Sequence, residues 1–273
     1  MTRKSIFLLA AIGFLSMAFS QASVEVAPAG KDLTNQLRTL PHAAFKSGEK
    51  LTYIVHYGFI NAGEAVLELK STDMTFQNRK MLRAVGTGRS LGAFNTFYKV
   101  DDHYESYFDS AGVFPWAFNR HVDEGGYTFD QKYVFLQHRG QLTDHDNDVY
   151  EVPLHTQDMI SAFYFARTLD FGSAAKGDVF TVPCFVDGEY WPLQMKVMGR
   201  ETIKLRNGKY RTIKFQPIVQ EGRVFKTSDD LNVWVTDDGN HIPVLAQAKV
   251  LVGSIKMELS SYSGLANPIA KVD

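Results

Sequence analysis

Four places in the sequence bring together residue types that could do chemistry. Gly88-Arg89-Ser90-Leu91-Gly92 has the letters of the G-x-S-x-G nucleophile elbow, in which a sharp strand-to-helix turn exposes a serine above a parallel sheet. Its surroundings deny it that setting. Phe94 to Phe108 reads as strand, and no βαβ alternation builds a parallel sheet, so a glycine-rich connection between strands is expected. Asp144-His145-Asp146-Asn147-Asp148 has the D-x-D-x-D start of a calcium loop. Such a loop needs glycine at its sixth position and glutamate at its twelfth, where Val149 and His155 stand, so a solvated acidic turn is expected.

The third place is Asp101-Asp102-His103 with Glu105, where strand alternation points Asp102 alone toward the aromatic side. A two-carboxylate glycosidase needs a second acid about 5 to 10 Å away, and the sequence identifies none. The alternative is structural, with Asp102 paired to Arg167 or to a tyrosine hydroxyl, because buried charges are usually paired. The fourth is the single cysteine, Cys184. It alternates with Val182 and Val186 and has no local histidine to activate it, so it reads as a buried apolar residue. His145, His155 and Asp158 could contribute to a zinc site, but the eight histidines show no H-E-x-x-H spacing and no cysteine pair. No metal, no cofactor and no catalytic set are expected.

The elements that carry these residues are mostly strands. Leu51, Tyr53, Val55 and Tyr57 share a face, Gly58 to Gly63 makes a return, and Ala65, Leu67 and Leu69 alternate on the next strand. Tyr98, Val100, Asp102, Tyr104, Ser106 and Phe108 share another face, and Tyr127, Phe129, Tyr133 and Phe135 mark a further strand. Trp191, Leu193, Met195 and Val197 alternate before an Asn207-Gly208 hairpin signal. Ile213, Phe215 and Pro217 follow, then Leu231, Val233 and Val235 with Trp234 on the opposite face, then runs at 244–250 and 255–259. About a dozen strands are predicted. One segment, residues 156–169, has helical spacing in Ile160, Phe163, Tyr164 and Leu169, with Thr156 placed to cap it and Asp158 at the positive end of its dipole.

Composition and the N-terminus set the compartment. Arg3 and Lys4 precede an uncharged run from Ile6 to Phe19 that ends at Ser20-Gln21-Ala22, the pattern of a secretory signal peptide. The run is shorter than the roughly 20 residues of a membrane span, so no transmembrane anchor is expected after cleavage. Ser23 follows the cleavage point, so a lipoprotein's attachment cysteine is missing. Losing Arg3 and Lys4 takes the net charge from −1 to −3, which offers no case for nucleic acid. One cysteine allows no intramolecular disulfide, so an aromatic-rich core, 13% Phe, Trp and Tyr, must hold an exported chain together. The expected organisation is a signal peptide over 1–22, a linker over 23–44, one β-rich domain over 45–265 and a tail over 266–273.

Several of these stretches taken in order resemble a family. They are Phe45-x-x-Gly48-Glu49-x-Leu51-x-Tyr53 with Ala62-Gly63-Glu64-Ala65, then Phe97-Tyr98-x-Val100-x-Asp102 leading to Glu105-Ser106. Asp158-x-x-Ser161-Ala162-x-Tyr164-x-x-Arg167 follows, and last Val233-Trp234-Val235-Thr236-Asp237-Asp238 with Ile242-Pro243-Val244 and Gly253. The set resembles the exported bacterial proteins grouped as domain-of-unknown-function family 3108. The resemblance implies an exported, mostly β protein and brings no catalytic residues with it. The last stretch is also similar to the curved-sheet periplasmic carriers of lipoproteins and lipids, a likeness of fold alone.

The expected fold is therefore mainly β: a strongly bent antiparallel sheet closing toward a barrel, with the helix at its opening or inside its concavity. The expected function is binding of an apolar or amphipathic, lipid-like envelope ligand in an aromatic-lined cavity, without catalysis. Candidate lining residues are Tyr53, Tyr57, Tyr98, Asp102, Tyr104, Tyr164, Arg167 and Trp191. The alternatives are an envelope assembly scaffold that engages a protein partner, and a glycan hydrolase acting through Asp102. The compartment reading has a direct check: the protein recovered from the periplasm or medium should begin at Ser23 by intact mass, and a retained leader would contradict it.

Overall fold

A computed structural model of the chain describes residues 32–218, 231–249 and 253–273. The expected signal peptide and the first part of the expected linker lie outside the described residues. The strands are β1 (Lys50–Tyr57), β2 (Ile60–Phe76), β3 (Arg79–Ser90), β4 (Asp101–Asp109), β5 (Pro115–Glu124), β6 (Tyr127–Leu136), β7 (Gln141–Asp144) and β8 (Val149–Glu151). After a helix come β9 (Val179–Val186), β10 (Glu189–Leu205), β11 (Gly208–Pro217), β12 (Leu231–Thr236), β13 (Pro243–Lys249), β14 (Ser254–Ser263) and β15 (Lys271–Val272). The helices are α1 (Phe94–Phe97) and α2 (Met159–Ala166).

All the strands belong to one sheet, in the order β8-β7-β6-β5-β4-β3-β2-β1-β14-β13-β12-β11-β10-β9, with β15 added on β11. It consists of two meanders, β1 to β8 and β9 to β14, stitched together by the antiparallel β1–β14 pair. The sheet is bent but not closed by a strand ladder. At its β9 edge the chain entering α2 makes a short parallel bridge, Gln157 N to Pro183 O at 2.7 Å and Phe185 N to Gln157 O at 2.8 Å. Pro183 belongs on such an edge, since it has no N–H to offer a further strand.

The turns differ from the sequence reading in two places. Tyr57 pairs with Ile60, so the first hairpin turns on Gly58-Phe59 alone, and Gly58 takes the positive φ of 59° that the tight turn requires. Leu205 pairs with Gly208, so Arg206-Asn207 form the second turn and Gly208 opens β11. Residues Phe94–Phe97, read as strand, are a helical turn; Gly92, at φ 52°, breaks the extended run before it.

Helix α2 is shorter than residues 156–169. Asp158 caps it, accepting from Ile160 N at 2.7 Å and Ser161 N at 2.8 Å, while Ser161 Oγ accepts from Asp158 N at 3.0 Å. That reciprocal arrangement is a capping box. Thr156 does not cap; its hydroxyl donates to Pro153 O at 2.7 Å. Eight residues do not hold a helix by themselves in water, so tertiary burial has to maintain it. Asp158 Oδ2 accepts from Ser106 Oγ of β4 at 2.6 Å, which fixes the N-terminal end. Tyr164 stacks on Phe108 with centroids 5.3 Å apart and meets Phe45 edge-on at 4.9 Å. The helix thus lies within the concavity, between β4 and β9.

Arg167 fixes the other end. It is buried, and its guanidinium grips the Glu49 carboxylate twice, Nη1 to Oε1 at 2.6 Å and Nη2 to Oε2 at 2.8 Å. Nη2 also donates to Ala44 O at 3.0 Å and Nε to Asn240 O at 2.8 Å. The rings of Phe45, Phe163 and Tyr164 surround it at 5.4 to 5.5 Å. Residues 32–44 run against the sheet, with Leu33 N on His138 O and Leu40 N on Ala111 O. At the C-terminal end, Asn267 and Asn240 exchange hydrogen bonds and Ala270 N donates to Asp238.

Removing one member of a buried ion pair leaves the other charge without compensation. Arg167→Met or Glu49→Gln should each cost about 3–5 kcal/mol in urea unfolding. The Arg167→Met/Glu49→Gln double variant should lose less than the two single losses combined. Losses under about 1 kcal/mol would contradict this assignment.

Candidate functional site

The outer face of α2 and the second meander enclose a cavity of about 170 Å³. Alternation builds its wall: Trp191, Leu193 and Met195 project inward from β10, and Leu231, Val233 and Val235 from β12. Phe215 and Pro217 of β11, Pro243 and Ala246 of β13 and Met257 of β14 complete the sheet side, with Phe171 beyond the helix. The helix contributes Ala162, Phe163 and Ala166. Two alanines one turn apart leave the space that larger residues would fill, so the void follows from side-chain size. Its volume is comparable to the roughly 150 Å³ of an engineered apolar cavity that stays dry and takes up benzene. Phe163, Leu193, Met195 and Val233 keep partial solvent exposure, so the cavity is half-open.

Two lining residues are polar. Arg167 has its charge neutralised by Glu49. His241 uses Nδ1 on the Arg167 carbonyl at 2.8 Å and lies 4.9 Å from the Phe171 ring. The wall is otherwise hydrocarbon, aromatic ring and proline.

The predicted lining residues fall into two groups. Trp191 and Arg167 line the cavity. Tyr53, Tyr104 and Tyr164 are buried in the main core, to which both meanders contribute, and burial pushes each phenol above its usual value. Tyr57 is half-buried, its ring 3.2 Å from the position a Cβ on Gly253 would occupy. Tyr98 lies flat on Gly125, where a Cβ would stand 2.4 Å from its ring, and burial together with Glu124 pushes its phenol up to about 12. The lining contributed by α2 itself, by β11 to β14 and by Phe171 and His241 is absent from the predicted set. The alternation on β10 and β12 was visible, but which meander the helix's alanines would face was not.

Asp102 pairs differently from either structural expectation. Arg167 belongs to Glu49, whereas Asp102 Oδ1 accepts from Asp123 N at 3.1 Å, with Glu124 beside it. Both residues are buried, at 4% and 1% exposure. Two rows along, Arg120 pairs with Asp187 and stands 4.7 Å over the Phe129 ring, and Gly188 N donates to Tyr133 OH at 3.1 Å. These contacts bring the β9–β10 turn against β5 and β6.

The other chemical candidates are occupied structurally. Ser90 Oγ accepts from Val100 N at 2.9 Å and contacts Asn95, which places it at the end of β3 as a turn-forming residue. Cys184 is fully buried, with its thiol pushed up by burial. Ligand atoms of Asp144, His145 and Asp146 come within 4.8 Å of one another on an exposed turn. Asp144 spends its oxygens on Asp146 N, Asp148 N and Tyr150 OH, the bonding of an acidic turn.

The burial of Asp102 has a pH consequence. Burial raises its carboxyl above the usual value, against the hydrogen bond from Asp123 N, which lowers it. The folded state therefore binds more protons than the unfolded state, and this group's contribution to stability falls as pH rises from about 4 through the folded value. Urea midpoints measured from pH 4 to 8 should show the wild type losing ground relative to Asp102→Asn as pH rises. A constant difference would contradict the raised carboxyl.

Comparison with known proteins extends this picture. A beta-barrel-like protein of domain of unknown function DUF1849 from Brucella abortus superposes with a TM-score of 0.52 at 8% identity, covering 81% of this chain and 99% of that one. A DUF1089 family protein from Pseudomonas aeruginosa gives a TM-score of 0.31 at 8% identity, covering 84% of this chain and 95% of its own. The first likeness supports the β-barrel-like architecture. Comparison with curated protein sequences finds no match. Among the described residues no helix is long and apolar enough to cross a membrane. The model of the protein of unknown function family DUF3108 matches residues 52–260, and the chain belongs to that family.

Proposed function

We propose that this protein is an exported, non-catalytic binder of an apolar or amphipathic envelope ligand, held in the cavity between α2 and the second meander. The observation that carries the reading is the void itself. A protein interior packs at crystal-like density, so a half-open apolar space walled by five strands and a helix is costly unless something fills it. The expected aromatic-lined cavity becomes more specific here: it is bounded by Trp191, Phe163, Phe171 and Phe215, with aliphatic residues between them. The tyrosines of the first meander act as the packed support. A signal peptide on the same chain supplies the compartment in which lipid-like molecules are available.

The test is titration with an apolar fluorescent dye such as N-phenyl-1-naphthylamine, alongside native mass spectrometry of gently purified protein. Wild type should bind the dye in a saturable manner, and Ala166→Leu, which pushes a larger side chain into the space, should weaken binding at least tenfold while keeping its urea midpoint. No saturable binding, or equal binding by the variant, would overturn the assignment.

A further inference from the structure

Strand register brings together two histidines whose sequence spacing carries no metal signature. His103 of β4 stands directly opposite His121 of β5, and His121 in turn opposite Asp130 of β6. Residues directly opposite in an antiparallel pair share a face, with Cβ atoms about 5 Å apart. That face is the outer one: Asp102, Tyr104, Arg120 and Val122 beside them in sequence are buried, while both imidazoles are about half-exposed. The pair therefore lies on the other side of the sheet from α2 and the cavity.

Each imidazole is backed by a carboxylate. Glu105 Oε1 lies 3.0 Å from His103 Nε2, and Asp130 Oδ1 lies 2.9 Å from His121 Nδ1. A carboxylate only accepts, so these ring nitrogens carry the protons, and the neutral rings keep their lone pairs on Nδ1 of His103 and Nε2 of His121. Glu105 is itself held, by Arg83 and by Tyr107 OH at 3.2 Å. A metal-ligating histidine characteristically donates its second N–H to a carboxylate, which fixes the tautomer and makes the ligand more basic. An ordinary surface ion pair needs neither the second imidazole nor the second carboxylate.

Charge around the pair also suits a cation. Asp101 and Asp123 stand on the same face one row along, so that with Glu105 and Asp130 four carboxylates are set against Lys99, Arg83 and Lys132. Arg89, opposite Asp101, is taken by Glu64. Metal–nitrogen bonds of about 2 Å bring both rings to one ion from Cβ atoms at the cross-strand spacing. Imidazole ligands select late first-row divalent ions, copper(II) more tightly than zinc(II), over calcium and magnesium, which take oxygen ligands.

We propose that His103 and His121 form an outer-face site for a late first-row divalent metal ion, bound through Nδ1 of His103 and Nε2 of His121. Glu105 and Asp130 orient the two rings, and water fills the remaining positions.

The test uses the protein without an affinity tag, titrated with copper(II) and zinc(II) by calorimetry, while electron paramagnetic resonance reads the nitrogens bound to copper. One ion per chain should bind, with two imidazole nitrogens on copper. His103→Ala and His121→Ala should each weaken binding about tenfold or more and remove one nitrogen, with the urea midpoint kept because both side chains are exposed. His145→Ala alters the other place where candidate ligand atoms converge, the exposed turn of Asp144, His145 and Asp146, and should leave binding unchanged.

Three outcomes would overturn the proposal. One is the absence of stoichiometric binding by either ion. Another is binding that either histidine variant leaves unchanged. The third is loss of the ion with His145→Ala, which would place the metal on the acidic turn. None of these measurements involves the dye, so this site and the cavity reading can fail separately.

Discussion

The contact on which the other elements depend is the Arg167–Glu49 pair. It joins residues 118 positions apart and reaches four parts of the chain: the C-terminal end of α2, the start of β1, the Ala44 carbonyl and the β12–β13 turn at Asn240. Without it, α2 has too few residues to persist, and the first and second meanders lose a shared buried anchor. The three rings packed around the guanidinium exclude water from it, and the bidentate geometry offsets the cost of burying both charges. At the opposite end of the helix, Asp158 does comparable work through its capping box and Ser106. The helix is therefore held at both ends by polar contacts, and its two sides are free to meet different surroundings.

Those surroundings are unequal. Toward β4, Tyr164 meets Phe45 and Phe108, and large rings fill the concavity of the first meander. Toward the second meander, α2 presents Ala162 and Ala166, and the space they leave stays open. The side of α2 toward β4 is thus packed, while the side toward the second meander borders the cavity. The sheet achieves this without closing its hydrogen-bond ladder. The gap between its ends is bridged by Gln157 on β9, by Arg120 with Asp187, and by Gly188 with Tyr133. Barrel-like curvature comes from side chains spanning the interior as much as from strand pairing.

Much of the fold was legible from alternation alone. Leu51, Tyr53 and Val55, or Trp191, Leu193 and Met195, announce a strand face because the period of two is local. The helix was legible for the same reason, through Ile160, Phe163 and Tyr164. The cap expected at Thr156 lies at Asp158 because both residue types cap well, and Ser161 of the helix and the tertiary partner Ser106 distinguish them. The short turns at Gly58-Phe59 and Arg206-Asn207 were misplaced by a residue or more because register depends on the partner strand. The site was legible in Trp191 and Arg167 but not in Ala162 or Ala166. A small residue carries no periodic signal, and whether it closes a core or leaves a void depends on the element opposite. Asp102 shows the same limit: its burial is foreseeable, while the hydrogen bond it accepts from Asp123 N depends on the β4–β5 register.

A crystal of the protein soaked with a terminally brominated dodecyl maltoside would test the central claim most directly, because anomalous scattering locates the bromine without interpretation of weak chain density. The account predicts a bromine peak in the cavity between Ala166 of α2 and the inner faces of β10 and β12. A cavity filled by its own side chains, with bromine bound only elsewhere, would contradict it.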